Sequence, residues 1–343
     1  MAKAAGVSIA SVSRELNGRG GVSAENSLKI QAAIKAIGYV PANAAQTLSR
    51  RRSRVLGALI PTLDYSVYAR KVQSFRARAM MKGYSVLLAT TDWEATSELA
   101  QCDDLVRGGA EGIMLEGNNH PPELYERLRQ NNVLYVNTSV YNPEGPHPTI
   151  GFRNNTLASR ATQHLIDLGH RSIAVIVSKL ANNDRASDRL AGVRATIEAA
   201  GGSLPDSHVV QCDFRMSSSR EALRHLMAQT PRPTAVVCTN DVLAMGAIME
   251  CQHSGIKVPQ SLSVIGFDDL DWAAHLSPPL TTFLVPTAEI GARSADYLIS
   301  RIDGVPVIDH AELDVPFIMR QSTGPVEREA PDTSPQSIAA TVT

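Results

Sequence analysis

From Val55 onward, short apolar runs alternate with stretches of helical length, and this rhythm constrains the fold more tightly than any other feature of the 343 residues. Residues 55–61, 85–89, 112–115 and 133–136 read as buried strands, because each is a short continuous apolar run bounded by turn residues. Helical spacing fills the intervals at 68–82, 95–107 and 121–131. The pattern then repeats. Helices are expected at 157–168, 188–200, 219–228 and 242–254, and strands at 173–177, 209–212, 235–239 and 263–266. A late strand opens at 278–282 and a last long helix covers 290–302. Alternating strands and helices give parallel sheets covered on both faces. One sheet rarely holds so many strands, so the chain is expected to form two similar lobes. Ligands of open α/β sheets bind beyond the strands' carboxyl ends, here the cleft between the lobes.

The first 54 residues obey a different pattern. Gly6 suits a sharp exit from a preceding helix, since glycine adopts positive φ without strain. Ser8 follows as a cap, and Val12 and Leu16 share one face of the helix it starts. Ser8, Ile9, Ala10, Ser13, Arg14 and Asn17 lie on or near the small, polar or basic side. Such a helix suits a DNA major groove, with Ile9 and Ala10 against thymine methyls and Arg14 at a guanine or phosphate. An ordinary helix hairpin satisfies the same twelve residues. A third helix starts at Ser23 and runs to Gly38, and Val12, Leu16, Ile30 and Ile34 are the expected core. Beyond Pro41 comes a short helix-prone run, Ala42 to Ser49, with Leu48 its one large apolar residue. A lone leucine there suits either a wedge between minor-groove base steps or a contact with the body.

Charge supports the division. Residues 1–54 carry a net +7, although the whole chain carries −1. A small basic head on an acidic body is the electrostatic footprint of a DNA-binding arm, or of a solvated basic surface. Cys102, Cys212, Cys238 and Cys251 are scattered without a C-x-x-C pair, so reduced thiols are expected rather than disulfides or a metal site. No export signal or membrane-length apolar run is evident, which points to a cytoplasmic protein. No nucleophile elbow, zinc-protease, phosphate-loop or dinucleotide motif occurs at a strand–helix junction, so a non-enzymatic role without cofactor is expected.

The segments Ala-Gly-Val-Ser-x-x-Ser-Val-Ser-Arg-x-Leu-Asn (5–17), Val-Ser-Ala (22–24) and Gly-Tyr-Val-Pro (38–41), with the Ala-rich run ending at Leu48, resemble the LacI/GalR family of bacterial transcription regulators. The body resembles that family's periplasmic-binding-protein-like effector domain through Gly169-His170, Asp188-Arg189-Leu-Ala-Gly192, Thr239-Asn240-Asp241-x-x-Ala-Met-Gly246 and Val264-Ile-Gly-Phe-Asp-Asp269 followed by Pro279-Leu-Thr-Thr282. The resemblance implies an α/β fold: a two-lobed effector domain with parallel sheets, preceded by a small all-α helix-turn-helix head. It divides the chain into a head at 1–39, a hinge helix and basic linker at 40–54, an effector-binding and dimerisation domain at 55–325 and a disordered tail at 326–343. Within the body the first lobe is about 55–152 and 285–312, and the second about 153–284 and 313–325. Two departures stand out. The chain begins several residues short of the family's usual first helix, and Ala42 rather than an asparagine follows Pro41.

The resemblance further implies a homodimeric repressor on double-stranded palindromic operator DNA, controlled by a small effector. Ile9, Ala10 and Arg14 would read the major groove, while Asn43, Ala45 and Leu48 would sit at the hinge. Arg189, Asn240, Asp268 and Phe152 match effector-contacting positions, joined by Tyr68 and Asn137. Trp272 is added as an aromatic wall from its place after the Asp268-Asp269 pair. Competing structural roles are a helix cap for Asp241, plain core for Phe152 and a loop pin for Asp269. Arg153, expected near Arg185 in the cleft, raises a sugar acid or sugar phosphate beside a neutral sugar as effector. A solute-binding protein of the same fold without DNA-binding activity is the rival reading.

Overall fold

The computed structural model describes residues 1–16, 20–38 and 52–326. The expectations for Asn17, Asn43, Ala45, Leu48 and the tail at 327–343 lie outside the described residues.

The head is three helices, α1 (Ala2–Ala5), α2 (Ile9–Leu16) and α3 (Ala24–Ile37). Gly6 turns the chain at φ 66, and the Ser8 hydroxyl accepts the Ser11 amide at 3.0 Å, capping α2. Ser23 caps α3 through the Asn26 amide, and Gly38 ends it in the left-handed region. Val12 and Ile30 are buried together with Ala5 and Ala33, whereas Leu16 and Ile34 pack half-buried around them.

The body begins with β1 (Val55–Ile60), α4 (Ser66–Met81), β2 (Ser85–Thr90), α5 (Ala95–Arg107), β3 (Ala110–Glu116), α6 (Pro122–Gln130), β4 (Leu134–Thr138) and β5 (Thr149–Gly151). It continues with α7 (Asn154–Asp167), β6 (Ile173–Ser178), α8 (Asp184–Ala199), β7 (Val209–Cys212), α9 (Met216–Met227), β8 (Ala235–Cys238), α10 (Asp241–His253) and β9 (Ser263–Ile265). It ends with β10 (Thr282–Phe283), α11 (Thr287–Ile302), β11 (His310–Glu312) and β12 (Phe317–Ile318). Two parallel sheets result, ordered β11-β5-β4-β3-β1-β2 and β7-β6-β8-β9. The antiparallel pair β10-β12 lies where the chain crosses between them. The fully buried patterns of β1, β6 and β8 follow from helices on both faces.

Three differences from the sequence reading have local causes. The late strand expected at 278–282 shrinks to Thr282–Phe283, because Pro278 and Pro279 have no N–H to pair. The short strands β5, β11 and β12 escape detection because two or three residues cannot show a period. Helix α8 starts at Asp184 rather than Asp188, because Asn183 supplies the cap by accepting the Ala186 amide.

Candidate functional site

The carboxyl ends of both sheets converge on one cleft. Glu116 ends β3, Ser139 follows β4, Ser178 ends β6, Thr239 and Asn240 follow β8, and Asp268 lies three residues past β9; all line the cleft. Helix α4 contributes Tyr68 and Lys71, and the loop after β5 brings Phe152. Helices α8 and α10 aim their N-termini at the same space, with Arg185 and Arg189 on α8. Five of the seven expected effector residues therefore meet here: Tyr68, Phe152, Arg189, Asn240 and Asp268.

Each is positioned by the backbone beside it. Asn240 caps α10 through the Leu243 amide at 2.9 Å, and its Nδ2, though buried, has no hydrogen-bond partner. Arg189 donates from Nε to Asn154 at 2.9 Å and from Nη1 to the Thr239 carbonyl, and its guanidinium lies 4.6 Å from the Phe267 ring centroid. Asp268 is held at φ 122, a conformation that non-glycine residues rarely adopt. Burial pushes its carboxyl up to about 7, with Arg189 opposing. The cap role foreseen for Asp241 belongs to Asn240. Asp241 is instead buried, accepting from the Leu270 amide and the Thr282 hydroxyl, and so fixes the loop that carries Asp268. Asp269 pins that loop by pairing with Arg320 at 2.7 Å.

Two expected contacts face elsewhere. Asn137 points toward α6, where its Nδ2 donates to Asn118 and Tyr125. Ser139, at φ 63, breaks the strand's alternation and takes the cleft position instead. Trp272 packs against the second lobe's core, because the chain turns into the short helix 273–275 directly after it. The aromatic groups near the mouth are Tyr65, Trp93 and Phe214, with Tyr65 and Phe214 stacked 3.8 Å apart. Arg153 pairs with Glu312 at 3.2 Å and covers Tyr141, and it lines a recess shared with Asp184 rather than the central cleft.

The sequence reading passed over a buried charge cluster in the cleft. Lys71 pairs with Glu116 and donates to Ser139, and Arg185 reaches Glu116 from the other lobe with Nε–Oε1 3.5 Å. Arg185 also pairs with its neighbour Asp184 at 2.6 Å. Burial alone would raise the Glu116 carboxyl, but Lys71 and then Arg185 outweigh it, so its pKa lies below the ordinary value. Burial holds the Lys71 ammonium low despite Glu116. The available signal was spacing, since Lys71 lies one turn from Tyr68 on a largely apolar face.

On the head, Ser8, Ile9, Ala10, Ser13 and Arg14 are all exposed, with Ile9 79% exposed. Arg52 and Arg54, part of the basic linker, turn to the body. Arg52 pairs with Asp303 at 2.8 Å and lies 3.3 Å from Glu111, and Arg54 donates to the Lys82 carbonyl. Among the described residues, no helix is long and apolar enough to cross a membrane.

A two-lobed body with a cleft, preceded by a helix-turn-helix head, is the layout of a class of DNA-binding regulators. Comparison with known proteins specifies it. The profile of the lacI family of bacterial regulatory proteins matches residues 1–42, and that of the periplasmic binding protein-like domain matches 162–323. The ribose operon repressor of Escherichia coli (strain K12) is 30% identical over 327 residues, covering 94% of this chain and 98% of its own. Catabolite control protein A of Priestia megaterium is 28% identical over 325 residues, covering 94% and 98%. The lac repressor dimer, solved bound to operator and the anti-inducer ONPF, superposes with TM-score 0.82 at 26% identity, over 94% of this chain and 97% of that one. The chain belongs to the lacI family of bacterial regulatory proteins, DNA-binding regulators of transcription.

Proposed function

We propose that the chain is a cytoplasmic, homodimeric repressor whose hold on a palindromic operator is set by a small polyhydroxylated ligand, a sugar, in the cleft. The unpartnered Asn240 Nδ2 carries this reading. A buried donor without a partner costs roughly 1–3 kcal/mol. Beside it lie an acceptor, Asp268, and a further donor, Arg189. Vicinal hydroxyls, each both donor and acceptor, satisfy that set. A neutral sugar is favoured over a sugar acid, because Arg153 lies away from the central cleft and Arg185 is already neutralised by Glu116 and Asp184.

On the head, Ile9, Ala10 and Arg14 present a face for the major groove. On the body, the edge strand β2 exposes Leu87 and Leu88 beside Met80 and Met81, 55% and 77% exposed, which suits a second copy of the chain. Arg52 ties the linker to Asp303 and Tyr84 on the first lobe, so lobe movement can reach the head. The test has two arms. Selection against a randomised palindromic library should enrich one half-site, and calorimetry with a sugar panel should give saturable binding that shifts operator affinity. Reciprocity requires the same coupling factor from either side. Saturable sugar binding with sequence-blind DNA binding would instead favour a solute-binding protein.

A further inference from the structure

The cleft is shut by a charge chain that spans both lobes. Lys71 and Glu116 belong to the first lobe, and Arg185 and Asp184 to the second, giving the order Lys71–Glu116–Arg185–Asp184. Lys71, Glu116 and Arg185 are each at least nine-tenths buried. The guanidinium lies on the bare face of Gly117, where a Cβ would collide with it. Asp184 meanwhile accepts the Asn118 amide of the first lobe at 2.6 Å. Nearby, Asn182 donates to the Trp93 carbonyl and Tyr65 stacks on Phe214, both across the same seam. The cleft in this closed arrangement has a volume of about 60 Å³. Ligand sites usually offer roughly 300–1,000 Å³. A sugar therefore enters only if the seam parts.

Breaking a buried ion pair is ordinarily costly because it strands an uncompensated charge. Here the seam runs through the middle of four alternating charges. When the lobes separate, Glu116 keeps Lys71 and Arg185 keeps Asp184, so two neutral pairs remain. Distances place the weak link at the seam as well. Arg185 Nη1 is 2.6 Å from Asp184, whereas its contacts with Glu116 are 3.2 Å to the carbonyl and 3.5 Å to the carboxylate.

We propose that Arg185 is a latch between the lobes: its contact with Glu116 holds the cleft shut, and Lys71 and Asp184 make the latch separable. The proposal rests on the reading that this cleft takes the ligand, but its test needs none. In the full-length chain, hydrogen exchange of the Asn118 amide reports seam opening, with strand amides at Ile113–Leu115 as the reference. Arg185→Met removes the latch, and exchange at Asn118 rises at least tenfold over the reference. Lys71→Met acts in the opposite direction. Glu116 then keeps the Thr138 hydroxyl but has Arg185 as its one cationic partner, so opening strands a buried carboxylate charge, and exchange at Asn118 slows about threefold. Arg185→Lys keeps the charge, loses the guanidinium fork and falls between wild type and Arg185→Met; it serves in place of the methionine variant if that chain does not fold. Unchanged exchange in the Arg185 variants, or acceleration by Lys71→Met as well, overturns the latch. Failure of the sugar panel with the latch intact would count against the ligand reading alone.

Discussion

Asp268 concentrates two kinds of strain on one residue. Its backbone is held at φ 122, and burial lifts its carboxyl from 3.8 to about 7. Such outliers persist only where the surroundings enforce them, and they cluster at binding sites. Asp241 provides the enforcement by holding the following turn through the Leu270 amide. A carboxyl with a raised pKa holds its proton more tightly in the folded chain than in the unfolded one. Folding is therefore penalised as pH climbs past 3.8, and the penalty is complete above about 7. Asp268→Asn should remove it. Denaturant melts should show a gain of roughly 2–4 kcal/mol near pH 8, shrinking to nothing below about pH 4, together with loss of sugar binding. A variant destabilised at pH 8 would mean that the carboxylate holds the loop together rather than awaiting a ligand.

At the scale of elements, the placement of Lys71 depends on how closely α4 and α11 approach. Gly291 on α11 faces the α4 backbone, and a Cβ there would strike the Lys71 carbonyl. Gly291→Ala must push the helices apart. Overpacking of this kind costs about 1–3 kcal/mol. Because Lys71 moves with α4, ligand affinity should fall along with the thermal midpoint, whereas alanine at the exposed Glu289 of the same helix should change neither. Retention of wild-type affinity by a destabilised Gly291→Ala would separate the helix contact from the site. The same scale explains which parts of the site could be read from sequence. Asn240 and Asp268 sit just beyond a strand's end and Arg189 in the second turn of α8, and the apolar pattern marks those elements. Asn137 and Trp272 sit at equally visible junctions but face away. Their directions are set by the left-handed turn at Ser139 and by the short helix after Trp272, which no periodicity reveals. Lys71 and Glu116 look like solvated charges until α4 packs over the end of β3 and pairs them.

For the whole molecule, the separation of charge sets how DNA can be held. Head and linker together, residues 1–54, carry a net +7 and the rest of the chain the opposite sign, so the basic charge of each copy is gathered at one end of the sequence. Each phosphate neutralised contributes a slope of about −0.9 to log affinity against log salt. Two heads held by one dimer double the number of contacts, so the slope reports how many heads are engaged. The β2 edge is the face proposed for pairing. Leu88 there is 39% exposed, and β2 is the outermost strand of its sheet. Leu88→Asp places a charge at the centre of that face while leaving α2, the cleft and the Arg185 contact untouched. Sedimentation should show dimers of the wild-type chain at micromolar concentration and monomers of the variant. Operator affinity should fall by at least a hundredfold, and the salt slope of what remains should be half that of wild type. A variant that stays dimeric with an unchanged slope places the subunit contact on another face. One that turns monomeric yet keeps its affinity would mean that a single head reads the operator, and the palindrome would lose its physical basis.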